Sequence, residues 1–142
     1  MGRVIATEKV GTKRQQLRRT IAEALRRLME KPRLDEEAKD LAALIVFCLD
    51  GISEGVNRSA EAWERRNYYL KADRFRREWA WAGRIADEMA LVIQEDEWDR
   101  LPPLLASLLP HFADIKVVKL VRPPSLWKGA YRRLMAEEGV VR

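Results

Sequence analysis

Residues 68–93 read Y-Y-L-K-A-D-R-F-R-R-E-W-A-W-A-G-R-I-A-D-E-M-A-L-V-I. Within them Tyr68, Ala72, Phe75, Trp79, Ala82, Ala86, Met89 and Ile93 follow one another at spacings of 4, 3, 4, 3, 4, 3 and 4. Apolar residues at that period make one stripe down an α-helix, the seam of a helix packed lengthwise on another. Ala72, Ala82 and Ala86 interrupt the large residues and let a neighbouring helix approach. Carried backwards, the register lands on Glu61 and Arg65, so the seam starts at Tyr68. Asn67 tolerates the left-handed conformation that ends helices, and Arg65 and Arg66 suit the negative end of a helix dipole. The pattern predicts one helix ending at Asn67 and a new one over 69–97.

The polar side of that helix carries an arginine and tryptophan face. Trp81 lies off the seam, at helical spacings of 7, 4 and 3 from Arg74, Arg77 and Arg84. An exposed tryptophan among arginines is a stacking or cation–π platform; a tryptophan packed on a third helix beneath arginine stems is the plainer reading. Charge along the helix opposes its dipole. Lys71 to Arg84 holds five basic and two acidic residues, whereas Ile85 to Asp99 holds six acidic and none basic. Each misplaced charge costs about a few tenths of a kcal/mol. An antiparallel partner helix or an anionic ligand offsets that cost.

With 142 residues, 35% charged and 47% hydrophobic, the chain can bury one core and is expected to form a single domain over 1–142. Net charge is +5, spread as +7 over residues 1–34, −7 over 35–114 and +5 over 115–142. Cys48 and His111 are each the only residue of their type, which excludes a disulfide within the chain, a cysteine-based metal site and a two-histidine site. The apolar run Leu41 to Leu49 is far too short for a membrane span, and M-G-R-V-I-A-T lacks a signal-peptide core. These features predict a cytoplasmic protein with no membrane partner.

The remaining helices follow from caps and breakers. Residues 1–11 read as a loose leader in which Val4, Ile5 and Val10 can tuck onto the body. Thr12 caps a first helix to about Lys31, with Leu17, Ile21, Leu25 and Leu28 on its apolar face and five arginines over the rest. Pro32 ends it. Asp35 caps a second helix with Glu36 and Glu37 in its first turn. From Leu41 to Leu49 that helix is apolar nearly all round, so it should be the central one. One continuous helix to Arg66 is preferred over a break near Asn57, with Gly51 and Gly55 bending it or marking close helix contact. Pro102 and Pro103 open a short helix, and Pro110 should kink it. Ile115 to Val121 is the one β-like run. Residues 122–125 form an extended proline linker, Ser125 caps a last helix, and Gly139 lies beyond its end.

The fold class expected is all-α: an antiparallel bundle of three to four main helices plus a short C-terminal helix. No phosphate loop, zinc-binding H-E-x-x-H, C-x-x-C or nucleophile elbow occurs, so no catalytic, cofactor or metal residue is assigned and no small-molecule substrate is indicated. Carboxylate pairs such as Glu36/Asp40 and Asp87/Glu88 read as solvated helix faces. The expected function is a non-enzymatic interaction or scaffold protein that binds a protein partner or associates with itself as a homo-oligomer. The alternative is a nucleic-acid-binding module using Arg74, Arg77, Trp81 and Arg84 with the basic termini.

Overall fold

A computed structural model describes residues 2–137. Five α-helices follow in the order α1 (Gly2–Met29), α2 (Glu36–Arg65), α3 (Tyr69–Gln94), α4 (Leu101–Leu108) and α5 (Ala130–Ala136), with no strand among the described residues. The all-α bundle expected from the seam is the observed fold.

Helix α2 starts where its cap places it: the Asp35 carboxylate accepts from the Ala38 N–H at 2.8 Å. Lys31 closes the preceding turn by meeting Asp35 and Glu37, each at 2.7 Å. The helix then runs unbroken through Gly51 and Gly55. Gly51 leaves room for Leu17 of α1, because a Cβ there would stand 2.9 Å from Leu17 Cδ1. The two glycines therefore mark helix contact and not a break. α2 packs against α1, α3 and α5, which makes it the central helix. Leu41, Ile45, Leu49 and Ile52 of α2 meet Ile21 and Leu25 of α1 and Ala82, Ala86, Met89 and Ile93 of α3 in one fully buried core.

Both ends of the α3 region are locked by the same device. At the α2–α3 turn the Tyr68 N–H donates to the Trp63 carbonyl and the Asn67 N–H to the Glu64 carbonyl, both at 2.9 Å, with Asn67 at φ 66°. That is a Schellman ending with a left-handed residue after the cap. After α3, the Glu97 N–H donates to Val92 at 2.9 Å and the Asp96 N–H to Ile93 at 3.2 Å, with Asp96 at φ 58°. The second signal lies earlier than the sequence period suggested, so α3 ends at Gln94 and not at 97.

Several expectations need correction. The backbone of the supposed loose leader is helical from Gly2, and Thr12 lies within α1. Val10 holds that end down, since it sits against Gly55 of α2. The side chains of Val4 and Ile5, and Gly139, lie outside the described residues. The seam is buried from Ala72, whereas Tyr68 is exposed and Phe75 and Trp79 are half-buried. The element covering those two rings is an arginine of α1 and not an apolar side chain. Pro110 does not kink α4; a 3-10 turn over Leu109–Phe112 continues it. The extended linker of 122–125 gives way to a 3-10 turn at Pro124–Leu126. Ser125 is not the cap of the last helix, which begins at Ala130 after Gly129 at φ 84°. Its cap comes from another helix, as described next.

Candidate interaction surface

Asp40 on α2 is buried, and its carboxylate accepts from the Tyr131 N–H at 2.9 Å and the Gly129 N–H at 3.2 Å. It satisfies the free amides at the start of α5 from across the fold. Glu23 on α1 is its counterpart. Its Oε1 accepts from the N–H of Val121 at 2.6 Å and of Arg122 at 3.0 Å, and its Oε2 from the Arg122 guanidinium at 2.9 Å. The basic N-terminal and C-terminal segments thus meet along α1. Neither carboxylate is the solvated helix-face residue that the sequence suggested for Asp40. A cavity of about 560 Å³ lies beside α5, lined by Glu36, Glu37, Asp40, Trp127, Tyr131 and Arg132 among others. Two of its carboxylates are engaged: Asp40 as above, and Glu37, which holds Lys31 and accepts from Trp127 Nε1 at 3.3 Å, both lowering its pKa.

An aromatic ladder crosses the other side of the molecule. Trp63 meets Phe75 edge-on at 4.9 Å, Phe75 meets Trp79 at 6.4 Å, and Trp79 lies against Trp81 at 5.9 Å. Trp81 then stacks on His111, with Phe112 edge-on beside it. Arginines of α1 close the ladder. Arg14 lies over Phe75 and Trp79 at 5.1 and 5.5 Å, and Arg18 over Phe112 at 5.6 Å. Arg27 covers Trp127 in the same way at 5.0 Å. The Nε of each of these arginines is buried without a hydrogen bond, and burial lowers the pKa of Arg14. The ring face stands in for the missing acceptor. No local pattern of residues signals this, because a clamp needs the partner helix to be in place.

The four candidate residues part company. Arg74, Arg77 and Arg84 are exposed and make no ion pair with any other described residue. Trp81 is half-buried, and one ring face is taken by His111. Trp81 thus packs on the 3-10 turn that carries His111 and not on a third helix. Cys48 is buried and its thiol pushed up to about 12 by that burial, which removes it as a nucleophile. Among the described residues no three of His, Cys, Asp and Glu group as a metal site, and no helix is long and apolar enough to cross a membrane.

What remains is the outward line of α3. Arg77, Ala80, Arg84, Glu88 and Leu91 are all exposed along it, with the small Ala80 between two arginines in the first part and the acidic Glu88 following before Leu91. Comparison with protein-family models, with curated proteins and with solved structures gives no significant match.

Proposed function

We propose that the chain is a non-enzymatic helical interaction protein that pairs with a second copy of itself through the outer line of α3. The observation that carries this reading is the charge order on that exposed line. An antiparallel pairing of two α3 helices sets Arg77 of one copy beside Glu88 of the other. The crossing then falls between Ala80, whose small side chain permits close approach, and Arg84, whose long side chain must turn out to solvent, and Leu91 supplies apolar area. The pairing also offsets the unfavourable placement of charge against the helix dipole. Bringing opposite patches together steers association and fixes register.

Light scattering in moderate salt tests it. A mass about twice the 16.5 kDa chain is expected at tens of micromolar. Glu88→Arg and Arg77→Glu should each give monomer, and the double exchange should restore the pair. A monomer at every concentration ends the idea. The nucleic-acid reading is weaker because Trp81 lies under His111, which leaves phosphate contacts by the three arginines without a stacking platform.

A further inference from the structure

We propose that the α2–α3 turn is a docking tip for an anionic membrane surface. Residues 65–71 (Arg65, Arg66, Asn67, Tyr68, Tyr69, Leu70 and Lys71) are exposed without interruption. Tyr68 is 54%, Tyr69 58% and Leu70 78% exposed, three large apolar side chains in succession at one end of the bundle. Arg65, Arg66, Lys71 and Arg74 flank them in sequence, and Asp73 is the one acidic residue from 65 to 74. Adjacent Glu64 is engaged, with both oxygens held by Arg76 at 2.7 and 3.0 Å.

The display is built, not frayed. The Schellman ending fixes the backbone, the Glu64–Arg76 pair ties the two helices, and Trp63 packs on Phe75 beneath the turn with the Lys71 ammonium 4.5 Å above its ring. Tyrosine settles at the headgroup level of a bilayer, leucine enters the acyl region and arginine and lysine meet anionic headgroups. The turn presents all three at once. A projecting helical turn with apolar residues flanked by base fits a planar, yielding, negative surface, and the contact is peripheral because no helix among the described residues is long and apolar enough to cross a membrane. It shares no required residue with the pairing line, so either can fail alone.

The test is sedimentation of the full chain with vesicles. Binding is expected to vesicles of about one-third phosphatidylserine in phosphatidylcholine at low salt, and not to phosphatidylcholine alone. Leu70→Gln, which changes no charge, should lower the partition about fivefold. Reversing Arg65 and Arg66 to Glu should lower it at least about twentyfold, since each base near the surface is worth about fivefold. Arg132→Glu, on α5 at the opposite end, should change it less than about twofold, and Glu88→Arg should leave it intact while abolishing the pair. No sedimentation with the anionic vesicles overturns the proposal, and a tip that serves an acidic protein instead gives that result. Unchanged binding by Leu70→Gln overturns it too, as does an Arg132→Glu loss equal to that of the tip arginines.

Discussion

The His111 imidazole lies face to face on the Trp81 indole, with centroids 3.7 Å apart and planes within 8° of parallel. Burial first, and the nearby Arg84 charge second, lower the His111 pKa below its ordinary 6.5. The neutral ring is therefore the form that the fold holds.

That fixes the sign of a pH effect. As pH falls below about 7, the unfolded chain takes up the histidine proton before the folded one does, so stability declines until pH passes the folded value and then levels. Urea midpoints between about pH 8 and pH 5 should show this fall, and His111→Phe should flatten it while keeping the stack. Glu37, Glu64, Asp35 and Asp114 have lowered pKa values through their basic partners. Their loss comes at more acid pH and should persist in the variant. An unchanged slope in His111→Phe would place the effect elsewhere.

Asp40→Ala leaves the Gly129 and Tyr131 amides without their acceptor. It should cost about 1–3 kcal/mol. Amide exchange over 130–136 should speed up well before exchange in α2. Equal acceleration in both helices would mean that α5 does not open separately.

Gly51 and Gly55 are four residues apart on α2 yet should answer differently to alanine. At Gly55 an added Cβ lies at an ordinary 3.5 Å from Val10, so Gly55→Ala should stabilise by about 0.5–1 kcal/mol through helix propensity. At Gly51 the new methyl meets Leu17 at 2.9 Å and the gain should be largely or wholly lost. Thermal melts of the two variants give the order directly, and the reverse order would refute the α1–α2 register.

Ile45 has no exposed surface. Ile45→Ala should cost about 2–5 kcal/mol by denaturant titration, as a buried deletion that neighbours only partly refill. A loss under about 1 kcal/mol is incompatible with α2 as the central helix.

Much of the architecture was legible because it is written in local chemistry. The seam of 72–93, the Asp35 cap, the left-handed Asn67 and the apolar girth of 41–49 each depend on neighbours within a turn or two. What escaped depends on partners far along the chain. Asp40 and Glu23 look like surface carboxylates until residues 121–131 fold back on them. Arg14, Arg18 and Arg27 look like a solvated basic face until rings arrive beneath them. Tyr68 fits the seam by spacing, yet the left-handed Asn67 before it swings its side chain into solvent. Of the four residues singled out as a surface, the three arginines are exposed; Trp81 is not free, because its cover comes from His111, thirty positions on.

The spacing of these ties also orders the assembly of the molecule in time. The Glu64–Arg76 bridge joins residues 12 apart, whereas Glu23 and Arg122 are 99 apart. Closing the longer circuit costs more chain entropy, by about 0.6 kcal/mol for each doubling of length. The α2–α3 hairpin is accordingly the element that can form first from its own residues. The clasp of Glu23 on residues 121 and 122 closes late, after the hairpin has given α1 a surface to lie on. Substitutions in the hairpin should then slow refolding, while those at Glu23 should mainly hasten unfolding.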